Sequence, residues 1–322
     1  MDDLKADLVL EGGGVKGIGL VGAISELERA GYSFGRVCGT SAGSIVGALI
    51  AAGVGSAELG EIMAGLDYRR FRDPAPLVRI PIAGPGLSIL IERGIYEGNE
   101  LKRWLGEILK AHGVETFGDL YAPDPGSDLP PDLQYKLVVI AADLSRGEMV
   151  RLPWDYRDRY GLDPKEQRVV DAVRASMSIP IFFDPAKLRD SNGRVATLVD
   201  GGVVSNFPVA VFDRLSGEPR WPTFGIKLSA RPDARQLPNA TGNPVAYVKA
   251  LVSTMMSGHD QMYIDDPCVN RRTIFVDTFK VSATNFDLDA ETARALYASG
   301  QRAAKGFLQG WDFATYKAEC RA

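Results

Sequence analysis

Residues 31–43 read GYSFGRVCGTSAG and contain the pattern G-x-S-x-G twice, as Gly31-Tyr32-Ser33-Phe34-Gly35 and as Gly39-Thr40-Ser41-Ala42-Gly43. The pattern marks a nucleophilic serine where a strand turns sharply into a helix, a turn that only small flanking side chains fit. Ser33 stands between Tyr32 and Phe34, after a helix end, and reads as a connector. Ser41 meets both conditions: residues 36–39 predict a short strand, Ala42 follows, and residues 42–52 are a small, apolar stretch of helical length. The first turn of such a helix directs unpaired N–H groups and positive potential toward the serine. A serine ahead of an apolar helix is also a common N-cap. The local sequence therefore leaves two readings of Ser41 open, nucleophile and cap.

Upstream, residues 7–11 (DLVLE) predict a buried strand and residues 17–30 a helix that stops at Gly31. The order strand, helix, strand, helix with short connections predicts an α/β fold whose central sheet is mainly parallel and sandwiched between helices. Between the first strand and the first helix lies Gly12-Gly13-Gly14-Val15-Lys16-Gly17. Spelled G-x-G-x-x-G, it matches a dinucleotide fingerprint, but that use calls for a carboxylate at the end of the second strand. The chain has Cys38-Gly39-Thr40-Ser41 there, and it lacks the G-K-[ST] of a P-loop. The other use is an oxyanion hole, in which each donor is worth about 2.7–4 kcal/mol of transition-state stabilisation. Neighbouring parallel strands open on one edge, so this loop falls beside Ser41. Lys16 holds the loop through its charge or favours anionic substrates; otherwise it is an exposed loop lysine.

Farther along, residues 99–111 predict an amphipathic helix, 121–133 a loop, and 134–143 a strand with 148–152 as its hairpin partner. Residues 165–177 predict a helix, 196–199 a strand leading into Asp200-Gly201-Gly202, and 223–228 a further strand. A helix over 245–262, a strand over 273–277 and a helix over 290–308 follow, with no repeat, coiled coil or clear linker. One domain over 1–322 is the expectation. The net charge of −4 excludes a chain-wide basic footprint for nucleic acid. Three widely spaced cysteines, Cys38, Cys268 and Cys320, give neither a metal pattern nor a disulfide framework, which suits a reducing cytoplasm. The N-terminal apolar run is too short for a signal peptide, and residues 42–54 fall short of the ~20 needed to span a bilayer.

The chain has two histidines. Ser41, Asp200 and His259 follow the Ser, acid, His order of an α/β-hydrolase, but that fold needs several strands before its nucleophile and here one precedes it. His112 stands at a helix end before Gly113 and His259 near the end of a predicted helix; both read as structural. Asp200 ends a strand and precedes two glycines, which is either a plain turn or a close passage past a ligand. An aspartate ~3 Å from a serine can take its proton directly. A carboxylate of pKa ≈ 3.9 is a poor base, so burial must raise it and the oxyanion hole must supply the remainder.

Several blocks, in the same order, resemble those of the patatin-like phospholipases. GGGVKG resembles that family's glycine-rich motif, GTSAG its nucleophile elbow, RASMSIP (174–180) its helix-to-proline block and DGGVVSNFP (200–208, with Asn206 and Pro208) its acid motif; GIYEGNELKRWL resembles a block between them. The resemblance covers roughly residues 6–229. It implies a three-layer α/β fold and a Ser–Asp dyad that cleaves acyl esters of lipids through an acyl-enzyme, as a phospholipase A, lysophospholipase or esterase, with no metal or other cofactor. By position, Ser41 is the nucleophile, Asp200 the base, and the amides of Gly12, Gly13 and Gly14 the oxyanion donors. The partner so implied is a phospholipid or another acyl-ester lipid. A Ser-His-Asp esterase using His259 and a non-catalytic nucleotide- or phosphate-binding module are the rival readings.

Residues 68–93 combine Arg69, Arg70, Arg72, Arg79 and Arg93 with apolar residues such as Leu77, Ile80 and Leu90. This basic, Gly- and Pro-broken segment reads either as a lid or peripheral contact with an anionic membrane surface, or as a packed insertion with solvated arginines.

Overall fold

The computed structural model describes residues 4–66, 68–71, 96–180, 182–214, 217–228, 266–279, 281–283 and 287–320, with four isolated positions between 242 and 255. In chain order the main elements are β1 (Leu4–Leu10), α1 (Ile18–Arg29), β2 (Tyr32–Thr40), α2 (Ala42–Ala51), α3 (Ser56–Ala64), α4 (Asn99–Ala111), β3 (Leu137–Asp143) and β4 (Glu148–Leu152). Then come α5 (Asp155–Tyr160), α6 (Val169–Ser176), β5 (Ala186–Arg189), β6 (Val195–Asp200), β7 (Thr223–Lys227), α7 (Pro267–Arg271), β8 (Thr273–Phe275), α8 (Ala290–Gly310) and α9 (Phe313–Cys320).

Eight strands form one sheet in the order β5-β6-β3-β2-β1-β7-β8, with β4 paired to β3 off that path. The five strands from β3 to β8 are parallel, whereas β4 and β6 both run antiparallel to β3. The α/β architecture, a mainly parallel sheet flanked by helices, is the one the sequence predicts. Strands β3 and β7 are buried along their whole length and β1 and β2 at their C-terminal ends, as continuous apolar runs such as LVVIAAD in β3 require. Registers Thr40↔Ile140 and Ala141↔Asp200 bring the ends of β2 and β6 level on either side of β3. Asp200 therefore reaches the elbow from a strand that runs against the parallel ones.

Helix α2 lies on β1, β2 and β3, and it also meets α4 and α6. Leu101, Leu105 and Leu109 recur every fourth residue and form the buried stripe of α4. Helix α8 packs against α1 at backbone contact. A Cβ on Gly300 would lie 2.0 Å from Gly19 O, and one on Gly22 would lie 2.0 Å from Tyr297 O. The C-terminal segment is joined to the motif-bearing part by this crossing and by β7 and β8, which extend the sheet.

Some boundaries differ from the sequence reading. Strand β2 begins at Tyr32 rather than near Arg36, because β1 pairs it from Leu4↔Tyr32 onward. Helix α6 is shorter than the 165–177 reading, since Pro164–Glu166 forms a separate 3-10 turn. Elements α3, α5, β5, α7 and α9 carry no strong periodicity and escaped the pattern. The helix read over 245–262 and most of the basic stretch 68–93 lie outside the described residues.

The reading of unpaired cysteines is corrected. Cys268 on α7 and Cys320 on α9 form a disulfide with Cα atoms 5.6 Å apart, while Cys38 is a buried free thiol. A separation of 52 residues gives no spacing signal; packing of α7 on α9 creates the pair. Cysteine usage thus no longer argues for a reducing compartment. Among the described residues no helix is long and apolar enough to cross a membrane.

In the chain-entropy model, opening a link across 52 residues removes about 4 kcal/mol of stability. Reduction, or the Cys320→Ser variant, should therefore lower the Tm clearly. An unchanged Tm would show that helix packing alone holds the terminus.

Candidate active site

Ser41 occupies the turn between β2 and α2 with φ 51° and ψ −125°, a left-handed conformation costly for a residue with a side chain. The neighbouring backbone leaves no alternative. A Cβ on Gly39 would lie 2.2 Å from Gly43 O, and one on Gly43 would lie 2.3 Å from Leu10 O. Both glycines of the second G-x-S-x-G are thereby required by close approach. Ser41 stands at the N-cap position of α2, yet its side chain makes no capping hydrogen bond. The cap reading accordingly lacks its defining contact. Ser33, by contrast, lies exposed near the start of β2, with its hydroxyl directed to Leu4 O.

The segment after α6 holds the elbow from the other side. Ser176 Oγ accepts the Ser41 N–H at 2.8 Å and donates to Ile140 O at 2.6 Å. The Ser41 hydroxyl donates to Met177 Sδ at 3.6 Å, and Ser178 O accepts the Asp200 N–H at 2.9 Å. Ser176-Met177-Ser178 is thus a splint between Ser41 and Asp200. Nothing in the sequence of this block signals that role.

Asp200 is fully buried. Its Oδ1 accepts the Gly202 N–H at 2.8 Å, and its Oδ2 meets no donor at good geometry. Burial raises the carboxyl to about 7; the facing Ser41 hydroxyl and the Gly202 N–H oppose that rise. The serine–aspartate contact is loose here, with the better-formed hydroxyl bond going to Met177, and such contacts commonly tighten only once substrate is bound. Gly201 turns the chain away closely, since a Cβ there would lie 2.4 Å from Ile140 O. The Asp-Gly-Gly run is a turn, in which Asp200 caps the short 3-10 segment Gly201–Val203 while Gly201 passes close to β3.

The glycine loop lies against the same point. A Cβ on Gly12 would fall 2.9 Å from Ser41 Cβ and 2.2 Å from Asn206 Oδ1. Asn206 grips Gly12 at both ends: Nδ2 donates to Gly12 O at 3.1 Å, and the Gly12 N–H donates to Asn206 O at 3.3 Å. With that N–H engaged, Gly13 and Gly14 carry the loop's available donors; among the described residues neither N–H has an acceptor. Gly14 takes φ 56°, which turns the loop into α1. Lys16 is half-buried, and its ammonium donates to Leu228 O at 3.1 Å. It holds the loop, and the exposed-lysine reading falls. Burial and the nearby Lys227 depress its pKa, against the attraction of Glu11.

His112 caps the end of α4 through its backbone and pairs through Nε2 with Glu58 Oε1 at 3.1 Å. His259 lies outside the described residues. Among the described residues no cluster of His, Cys, Asp or Glu could hold a metal ion. Two buried charges were missed, Glu11 and Lys227, which pair beneath the glycine loop. Their signals were an acid abutting GGG and a lysine closing the apolar strand TFGIK. A cavity of ≈ 350 Å³ sits at the opposite edge of the parallel strands, away from Ser41, and holds the ion pairs Asp7–Arg36, Asp124–Arg220 and Asp213–Arg272. A second cavity of ≈ 450 Å³ lies between the start of α1, the end of α3 and the start of α8, lined by Ile18, Met63, Leu66 and Leu288 together with Arg69, Asp287 and Asp289.

This arrangement, a strained serine at a strand-to-helix turn beside a buried carboxylate and a glycine loop, fits acyl-transfer chemistry. The chain belongs to the patatin-like phospholipases, whose family model matches residues 8–213. It is 38% identical over 311 residues to the uncharacterized protein YqhO of Bacillus subtilis, covering 95% of this chain and 99% of that one. Its fold is similar to that of VipD from Legionella pneumophila (TM-score 0.54, 18% identity, 94% of this chain and 66% of that one). It is also similar to ExoU of Pseudomonas aeruginosa in complex with SpcU (TM-score 0.50, 16% identity, 95% and 52%). Family membership supports a lipid hydrolase.

The raised Asp200 pKa has a consequence for stability. A folded value of about 7 exceeds the unfolded one, so its contribution is fullest below the unfolded pKa and is lost as pH rises through 7. The loss amounts to something on the order of 4 kcal/mol at alkaline pH. Asp200→Asn should therefore be more stable than the parent at pH 8, by several degrees of Tm, with the gap closing toward pH 4. A gap independent of pH would show that the Asp200 carboxyl titrates alike in the folded and unfolded chain, so that burial does not raise its pKa.

Proposed function

We propose that this chain hydrolyses carboxylic esters of lipids by a Ser41–Asp200 dyad, as a phospholipase A, lysophospholipase or lipid esterase. The observation that carries the reading is a fully buried carboxyl, raised to about 7, facing an uncapped serine on a strained turn. A base of that pKa is matched to proton transfer near neutral pH.

Ser41 Oγ attacks the ester carbonyl carbon while its proton passes to Asp200. The carbonyl oxygen becomes an oxyanion, held by the N–H groups of Gly13 and Gly14 under the positive end of α2. Of the three glycines, Gly12 serves by close approach rather than donation. Collapse breaks the ester C–O bond, and the leaving alkoxide takes the proton from Asp200. Water then attacks the acyl-enzyme, giving its proton to Asp200, which returns it to Ser41 Oγ as the fatty acid departs. Peripheral contact with a lipid surface belongs to the same reading, as does the organisation of 1–322 as one hydrolase domain.

A fluorophosphonate probe should label Ser41, with peptide mapping as readout. Labelling should rise with pH through a single ionisation near 7 and fall by several orders of magnitude in Asp200→Asn. His259→Ala should label at close to the parental rate. Loss of labelling in His259→Ala would favour the Ser-His-Asp alternative, and label on another residue would overturn the site.

A further inference from the structure

Glu11 and Lys227 are both 3% exposed, and the reaction above uses neither. Burying an ion pair gives little stability, because the cost of removing two charges from water offsets their attraction. The position of this pair is therefore what calls for explanation. Glu11 immediately precedes Gly12, and Lys227 ends β7. One carboxylate oxygen of Glu11 accepts from the Lys227 ammonium, and the other accepts from the Leu228 N–H. On the far side of the loop, Lys16 Nζ donates to Leu228 O, which also accepts from Thr278 Oγ1 at 3.2 Å. Between these grips the Leu228 side chain supports the loop: a Cβ on Gly13 would lie 2.5 Å from Leu228 Cδ1. The residues flanking the loop thus seize both the N–H and the C=O of one residue, with Gly13 and Gly14 between them.

We infer that Glu11 and Lys227 are positioning residues for the oxyanion loop, clamping its entry to Leu228 as Lys16 clamps its exit, so that the Gly13 and Gly14 N–H groups are held where the tetrahedral oxyanion forms. The inference rests on the hydrolase reading above. Preorganised donors act on the transition state more than on the bound ester. Loosening the clamp therefore lowers kcat and spares KM.

The double variant Glu11→Gln/Lys227→Met removes both charges of the pair together, so that neither is left buried without its partner. It should remain folded by circular dichroism, keep KM within about two-fold and lose about 10–100-fold in kcat. Affinity for a lipid trifluoromethyl ketone, which forms a tetrahedral oxyanion on Ser41, should fall by the same factor. Affinity for a non-hydrolysable ether analogue should hold. If the double variant does not fold, Glu11→Asp keeps both charges, shortens the reach and should show the same split between kcat and KM. A merely structural pair would lower Tm but leave kcat and ketone affinity unchanged well below the Tm, and that result overturns the inference. A wild-type protein that labels on Ser41, with variants of full ketone affinity, overturns this inference alone. A wild-type protein that does not label overturns the hydrolase reading and the clamp together.

Discussion

The site depends on backbone lying against backbone at a single turn. Gly39 meets Gly43, Gly43 meets Leu10, and Gly12 meets Ser41, at separations that no side chain would permit. These contacts draw the ends of β1 and β2 and the start of α2 into one knot, and they force Ser41 to positive φ. A strained residue persists only where its surroundings over-determine it. Here the Ser176 hydroxyl bridging the Ser41 N–H and Ile140 O completes that determination. The strain turns the serine hydroxyl away from capping α2 and toward Met177 and Asp200.

Desolvation is the second governing effect. Asp200 is buried with a single well-formed hydrogen bond, from Gly202, where a carboxylate held for stability would have several. An unsatisfied buried oxygen costs free energy in every folded molecule. Asp7 and Asp213, also largely buried, are matched by the guanidiniums of Arg36 and Arg272. Asp7 likewise has one oxygen without a donor and a pKa raised by burial; what sets Asp200 apart is that, among the described residues, no guanidinium or ammonium faces it. That absence also accounts for the dispensability of an imidazole in the proposed chemistry, since burial alone brings the aspartate near the pKa that histidine has unaided.

Most of the fold and the heart of the site were legible because their signals are local. Small residues around Ser41, the glycine run after an apolar strand, and Asp200 closing VATLVD each state a constraint within a few positions. What stayed hidden depends on distance in the chain. The Cys268–Cys320 link joins helices too short to show periodicity. The direction of β6 relative to β3 is set by pairing across the sheet, and no residue within VATLVD signals it. Glu11 pairs with a residue 216 positions on, and a lone acid before glycines has no signature until β7 is placed beside β1.

The placement of β7 ties these effects together. By pairing with β1 on the side away from β2, β7 carries Lys227 and Leu228 to the base of the glycine loop, while Asn206 grips Gly12 from the acid segment. The loop is then held from two parts of the chain far apart in sequence, and α2 fixes the serine from a third. Rigidity of this kind matters most where hydrogen bonds must be in place before charge develops, because donors that reorient during reaction give back in reorganisation what they supply in attraction. Lys16 illustrates the economy of the arrangement. Its ammonium is engaged by Leu228 O rather than by solvent, so the charge serves to fix the loop and its field still reaches the Gly13 and Gly14 donors. An arginine there would carry the same charge on a longer, planar head that does not fit the same single carbonyl in the same way. In the proposed chemistry the glycine run supplies the donors, and the clamp inferred beneath it sets where they point.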